Sequence, residues 1–368
     1  MQHDSFMRSC NTRRGCFLGA SLIFFDVVQG LSESNGSAGD VRCSWSVERR
    51  AQSASCWLFF CIFVRVKEEN RSRQSSTNTP ITSYETNLKQ AKTKSFYGQE
   101  NGMNSHSSTH IHPTAIVSPH ANIATDVRID PFAVIEENVT IGQGTHVMAH
   151  SVVCSGSRIG SDCRIHPFSV VGGVPQDLKF KGEETELFVG DRTTIREYVT
   201  LNRGTASRGY TRIGSDCLVM AYSHIAHDCV IGNHVIIGNG TQIAGEVLID
   251  DHATLSAAVL VHQFVHIGAY IMLQGGSKVS KDIPPYTLVG REPISFCGIN
   301  SIGLKRNGFS SETIFLINDI YRTLYQRGLN ISDALQAIRD EYEPSEERDA
   351  VLAFINASER GIVRGNLD

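Results

Sequence analysis

From Ile111 onward the chain repeats every six residues, and no other feature restricts its fold so tightly. Every sixth position is aliphatic: Ile111, Val117, Ile123, Ile129, Ile135, Ile141, Val147, Val153, Ile159, Ile165 and Val171. The phase resumes at Val189, Ile195 and Leu201. It resumes again at Ile213 and runs through Val219, Ile225, Ile231, Ile237, Ile243, Ile249, Leu255, Val261, Ile267, Leu273 and Val279, giving 26 hexapeptides. Four residues after the aliphatic stands a small or modest side chain, as at Ala115, Ala121, Ala133, Cys163, Ser169, Cys217, Ser223 and Cys229. An amphipathic helix repeats near 3.6 residues and a half-buried strand near 2, so neither produces this pattern. Two inward positions per six, one branched and one small, fit a triangular coil with tight corners. The expected architecture is an all-β solenoid: a left-handed parallel β-helix of eight or nine coils of about 18 residues, stacked near the ~4.8 Å spacing of hydrogen-bonded strands.

Two insertions break the phase, GGVPQDLKFKGEETELF at 172–188 and NRGTASRGYTR at 202–212. Loops that leave a solenoid commonly line its binding face, and both are expected to do so; covering an edge or joining subunits is the plainer alternative. After Pro284 and Pro285 the period stops. Ser310 reads as a helix N-cap before Ile314, Ile317, Ile320, Tyr321 and Leu324, with Gly328 as the stop. A second helix is expected from near Ser332 through Leu335 and Ile338 toward Pro344, and a third holding Val351, Leu352 and Ile355. The chain thus divides into a leader (1–108), a β-helix (109–290) and a small C-terminal α-helical domain (291–368).

The leader has no sustained period and carries 13 Lys plus Arg against 9 Asp plus Glu, in a chain whose net charge is −4. It reads as an organelle transit sequence, as sequence upstream of a true start near Met103, or as a secretory signal using Arg13, Arg14 and the run 16–25. The five cysteines of the body (Cys154, Cys163, Cys217, Cys229 and Cys297) form no CxxC pair, so they read as reduced thiols, which argues against secretion. The acidic balance argues against a nucleic-acid partner, since phosphate binding needs a basic surface. The apolar runs at 16–25 and 56–64 fall short of the roughly 18 residues of a membrane-spanning helix. At 41% apolar, the chain has material for a sizeable core.

Chemistry concentrates at Ser223-His224-Ile225-Ala226-His227-Asp228-Cys229. His224 and His227 flank the inward Ile225, so both imidazoles are expected to point out of the prism. Histidine exchanges a proton near neutral pH and suits general-base work, and a carboxylate at Asp228 would fix its tautomer. Residues 18 apart stack from coil to coil, which puts His227, Gly245 and Gln263 in one outward column. A base, a bare backbone N–H and an amide are what acyl transfer to a hydroxyl needs: the base takes the proton and the N–H stabilises the oxyanion. Surface histidines at a trimer interface are the alternative, and His262 in Val261-His262-Gln263-Phe264 reads on its own as structural.

Six segments are sharper than the repeat: GGVPQDLKFKGEETEL at 172–187, NRGT at 202–205, HIAHDC at 224–229, VHQF at 261–264, DIPPY at 282–286 and NSIGLKRNGF at 300–309. Through them the body, from about Ile111 to Arg364, resembles the UDP-N-acetylglucosamine acyltransferases that open lipid A synthesis. The resemblance implies a homotrimer that moves a 3-hydroxyacyl group from acyl carrier protein to the 3-hydroxyl of UDP-N-acetylglucosamine, with no cofactor and no metal. It implies that His227 is the general base, oriented by Asp228, and that the Gly245 amide forms the oxyanion hole. His224, His262 and Gln263 match positions that place the nucleotide sugar and acyl chain. Asp177 and Lys179 match contacts to sugar and acyl group. Asn300 and Arg306 match the uridine-diphosphate side, where a guanidinium can donate two charge-assisted bonds. Gly275 matches the position that sets acyl length, with a chain of about 14 carbons the expectation.

Two residues depart from the family pattern: Glu246 and Asn202 stand where histidine is usual. Glu246 beside a diphosphate would repel it. Plant relatives of the family are mitochondrial, so mitochondrion is the expected location and plastid the alternative. Two competing functions stay open at the level of sequence. One is a noncatalytic trimeric scaffold; the other is a zinc enzyme of carbonic anhydrase type using His224, His227 and His262, although such enzymes typically lack a long helical cap.

Overall fold

The structure, a computed structural model, describes residues 108–365. The leader assigned to 1–108 therefore lies outside the described residues but for its last position. Strands mostly two residues long, from His110–Ile111 to Lys278–Val279, wind in turn through three sheets whose members run parallel. This is a left-handed parallel β-helix. Ile225 pairs with Ile243 and Ile243 with Val261, one coil of 18 residues apart. Across the two insertions the step lengthens, from Arg164 to Thr194 and from Thr200 to His224, yet the ladder stays in register.

The repeat explains itself in packing terms. The inward aliphatics are buried throughout the body of the helix, Ile225, Ile243, Leu255 and Leu273 to 0% exposure. Each such side chain is worth about 1.5–3 kcal/mol of transfer free energy. The small inward position accommodates hydroxyls because each finds a carbonyl, in the next coil or, as at Ser277, three residues back in its own. Thr145 Oγ1 donates to Gly160 O at 2.8 Å and Ser223 Oγ to Gly238 O at 3.0 Å. Cys163, Cys217 and Cys229 occupy the same position as buried free thiols. Burial pushes Cys229 up to about 12, so it remains protonated and inert.

Three residues after the aliphatic, the chain turns the corner in the left-handed region, as at Asp126 (φ 59), Asn138 (φ 53), Asp162 (φ 55) and Asp228 (φ 59). Short polar residues tolerate that conformation by bonding locally, and no β-branched residue stands at a corner of positive φ among the described residues. Aromatic rings take the same role along one edge: Phe132, His150, Phe168, Tyr198 and Tyr222 stack at 5.0 to 5.1 Å.

The solenoid does not end at Pro285. Thr287–Gly290 adds a further parallel strand and then pairs antiparallel with Ser295–Ile299, closing the last coil with a hairpin that the hexapeptide pattern does not signal. Four helices follow: α1 (Ser301–Arg306), α2 (Ser311–Gln326), α3 (Ile331–Glu341) and α4 (Glu346–Ala357). Ser310 Oγ caps α2 by accepting from Thr313 N, and Gly328 (φ 70) follows its end. α3 starts at Ile331, beside the expected Ser332, with Asn330 as its cap, and α1 is too short to leave a period in the sequence. Tyr321 on α2, fully buried, donates its hydroxyl to Pro285 O at 2.6 Å and so ties the helical unit to the last coil. No helix among the described residues is long and apolar enough to cross a membrane.

Candidate active site

His227 and Asp228 sit at a corner of the solenoid, just past the buried strand residue Ile225. The left-handed turn at Asp228 aims its carboxylate back beneath the preceding residue, where Asp228 Oδ2 accepts from His227 Nδ1 at 2.8 Å. Asp228 is fully buried and His227 is only 8% exposed. The ring leaves the prism as expected, yet it is no exposed histidine, because the first insertion lies over it. Asp177 of that insertion brings Oδ2 to 3.9 Å from His227 Nε2, too far for a direct bond and wide enough for a hydroxyl to approach.

The second insertion does something else. It folds against the back of Asp228, while its Arg203 and Gly209 line a separate cavity together with Glu183 and Glu184 of the first insertion. Thr205 N and Arg208 N donate to Oδ1 at 3.0 and 3.2 Å, and Thr205 Oγ1 donates to Oδ2 at 2.6 Å. A buried carboxylate held by this many donors is well compensated for its loss of water. With Oδ2 accepting, the shared hydrogen belongs to Nδ1 of His227, and in the neutral ring Nε2 is the acceptor.

The stacking predicted from the 18-residue period brings Gly245 directly against this ring. A Cβ on Gly245 would stand 2.6 Å from His227 Cε1 and Nε2, so only glycine fits. The Gly245 N–H lies at the coil corner, where it donates to no backbone acceptor among the described residues.

Around these residues opens a cavity of about 740 Å³, lined by Asp177, Lys179, His224, His227, Gly245 and Gln263, together with apolar surface from Leu178, Leu260 and Val261. His224 is half-buried, with Nδ1 2.7 Å from Thr200 Oγ1, and burial draws its pKa below the ordinary histidine value.

The remaining candidates lie apart from this cavity within one chain. His262 is exposed, its Nδ1 3.0 Å from Gln263 O. Gly275 lies beside Ala257 and Ser256, after the inward Leu273 of a different sheet. Asn300 caps α1, its Oδ1 accepting from Gly303 N at 3.1 Å and its Nδ2 donating to Tyr270 O at 2.8 Å; Arg306 is exposed at the end of that helix.

The two departures from the family pattern acquire structural roles. Asn202 is buried, and its Nδ2 donates to Val174 O at 3.1 Å and Gly173 O at 3.4 Å, pinning the root of the first insertion. Glu246 follows Asp228 in the corner row (φ 59), its N–H donating to His227 O at 3.0 Å, and is not among the cavity-lining residues. Among the described residues, no group of three or more His, Cys, Asp or Glu side chains is placed to hold a metal ion.

Thr205 and Arg208 are the functional neighbours that residue spacing does not reveal, because they reach Asp228 from an insertion outside the 18-residue register. The only sequence signal was the NRGT motif itself.

A hexapeptide-repeat solenoid with an aspartate-held histidine against a bare glycine defines an acyltransferase of the hexapeptide class. Comparison with known proteins narrows the class. Residues 138–173 and 210–245 match the bacterial transferase hexapeptide family, and residues 282–363 match the family described as UDP-N-acetylglucosamine O-acyltransferase, domain 2. The acyl-[acyl-carrier-protein]–UDP-N-acetylglucosamine O-acyltransferase of Xanthomonas oryzae pv. oryzae is 45% identical over 256 residues, covering 69% of this chain and 97% of the relative. The crystal structure of a UDP-N-acetylglucosamine acyltransferase from Bacteroides fragilis is 52% identical with a TM-score of 0.68, covering 69% of this chain and all of that one. The Arabidopsis UDP-N-acetylglucosamine acyltransferase is 32% identical with a TM-score of 0.61, again covering 69% of this chain and all of that one. The chain belongs to the UDP-N-acetylglucosamine O-acyltransferase family.

Proposed function

We propose that this enzyme transfers a 3-hydroxyacyl group from acyl carrier protein to the 3-hydroxyl of UDP-N-acetylglucosamine, the first step of lipid A-type synthesis, with His227 as general base. The observation that carries the reading is the disposition of His227: Nδ1 held by Asp228 at 2.8 Å, and Nε2 turned toward the cavity between Asp177 and Gly245. Nε2 takes the hydroxyl proton as the sugar oxygen attacks the thioester carbonyl. The carbon–oxygen bond forms, the carbon–sulfur bond breaks through a tetrahedral oxyanion, and the proton passes to the departing sulfur. The corner N–H of Gly245 is the donor available to that oxyanion. Asp177 and Lys179 reach the sugar and acyl group from the covering loop, and the apolar Leu178, Leu260 and Val261 border the acyl path.

The working form in this reading is a homotrimer with three sites between subunits. Leu178 stands fully exposed at the loop beside the cavity, with Leu260 and Phe264 also exposed nearby, an apolar rim that a neighbouring prism would cover. Asn300 and Arg306 lie outside their own chain's cavity and would serve a neighbour's diphosphate, with His262 and Gly275 completing sugar and acyl contacts in the assembled cleft. The mitochondrial location belongs to the same proposal; the basic leader and the likeness to plant members of the family support it.

The decisive assay is acyl transfer by the full chain with UDP-N-acetylglucosamine and a panel of 3-hydroxyacyl carrier proteins, beside His227→Ala. Loss of at least about 10²-fold in the variant is expected of a general base. A native protein that transfers no acyl group from any donor would overturn the reading.

A further inference from the structure

We infer that Thr205 is a positioning residue for this reaction: its hydroxyl sets the hydrogen-bond direction of Asp228 and through it the tautomer of His227. The inference rests on His227 acting as the base.

The geometry leaves little freedom. Ser207 N donates to Thr205 Oγ1 at 3.2 Å, so the hydroxyl's own hydrogen is free to point elsewhere, and Asp228 Oδ2 lies 2.6 Å away. The hydroxyl therefore donates to Oδ2, the same oxygen that meets His227 Nδ1 at 2.8 Å. The other oxygen, Oδ1, is occupied by Thr205 N and Arg208 N. The backbone of Asp228 is fixed as well, its N–H donating to Thr211 Oγ1 at 2.8 Å. All partners of the carboxylate are thus donors, three of them from the 202–212 insertion. An oxygen already accepting from Thr205 is held in the plane and direction that Nδ1–H requires, which leaves Nε2 as acceptor toward the cavity. On this account the second insertion is a cradle for a carboxylate, and Thr205 acts without touching substrate.

Thr205→Val keeps the side-chain shape and removes the hydroxyl; Thr205→Ser keeps the hydroxyl. The expected result is a fall in kcat of about 10²-fold for Thr205→Val with KM for the UDP-sugar within about twofold, because orientation of the base and not substrate binding is lost. Thr205→Ser is expected to recover kcat to within about threefold of native, an outcome that mere packing by the methyl group would not give. The second readout is ¹⁵N NMR of the histidine-labelled full chain, the His227 signals assigned by their loss in His227→Gln. Native protein should show Nδ1 protonated and Nε2 bare, and Thr205→Val should show a mixture. A native Nε2–H tautomer, or native kcat in Thr205→Val, overturns the inference. Should Thr205→Val fail to fold, the native tautomer and the Ser variant decide alone. The tautomer is read without substrate, so its failure is separable from a failure of acyl transfer itself.

Discussion

The imidazole of His227 fills the space in which a side chain on Gly245 would stand, 18 residues and one coil away: a Cβ there would come within 2.6 Å of Cε1 and Nε2. The base and the residue whose N–H is left without a backbone acceptor are thereby held side by side by the stacking of the solenoid itself. Neither has to be brought in by a loop.

Gly245→Ala is accordingly expected to displace the ring while leaving the coil folded, since alanine changes nothing inside the prism. Transfer should fall by about 10²-fold or more, the size of losing an oxyanion donor, with the added effect of a misplaced base. Steady-state kinetics together with the thermal midpoint check this. Native kcat in a folded Gly245→Ala protein would remove the contact from the catalytic account.

Asp228→Asn places an amide NH₂ among groups that already donate. With the NH₂ in the place of Oδ2, Thr205 Oγ1 and His227 Nδ1 lose their acceptor, or the imidazole moves its hydrogen to Nε2 and ceases to be a base; with it in the place of Oδ1, the N–H groups of Thr205 and Arg208 are left unpaired and the carboxamide is pushed out of place. The expected outcome is a loss of about 10²-fold or more in kcat. A stability cost of about 1–3 kcal/mol should accompany it, from donors left unpaired in a buried site. Chemical denaturation and acyl-transfer rates measured on one preparation test both parts.

Asn202→Ala removes the two amide bonds that pin Gly173 and Val174 at the root of the covering loop. At about 1 kcal/mol each, their loss loosens the loop that carries Asp177 and Lys179 without touching His227. The KM for UDP-N-acetylglucosamine is expected to rise about tenfold while kcat holds. An unchanged KM would show that the loop is seated by other contacts.

Burial draws His166, His224 and His252 below the ordinary histidine pKa of 6.5. Below about pH 6.5 the unfolded chain then binds protons that the folded chain refuses, so stability is full above that pH and is lost as the pH falls through it. The thermal midpoint should decline between about pH 7 and pH 5.5, and less steeply in His166→Gln/His252→Gln. Equal slopes in the two proteins would count against these histidines as the cause.

The β-helix was legible because its period is enforced residue by residue: one aliphatic must enter the prism at every side, as Ile225, Ile243 and Val261 do in three successive coils. For the same reason the column of His227, Gly245 and Gln263 could be written down from spacing, since parallel strands in register convert an interval of 18 into contact. Where the chain leaves the period, the interval carries no such information. Nothing in NRGTASRGYTR says that Thr205 turns inward to Asp228 while Asp177, in the other insertion, turns over His227. Nor does position along the chain say that Asn202 is a pin, that Glu246 is a corner residue outside the cavity, or that a hairpin of Thr287–Gly290 and Ser295–Ile299 closes the last coil. What the sequence determined by itself is the repeat, and with it the prism and the outward base. The tertiary structure alone decided how buried donors and acceptors pair off, because that depends on the path of non-repeating backbone through space and not on residue type at a fixed interval.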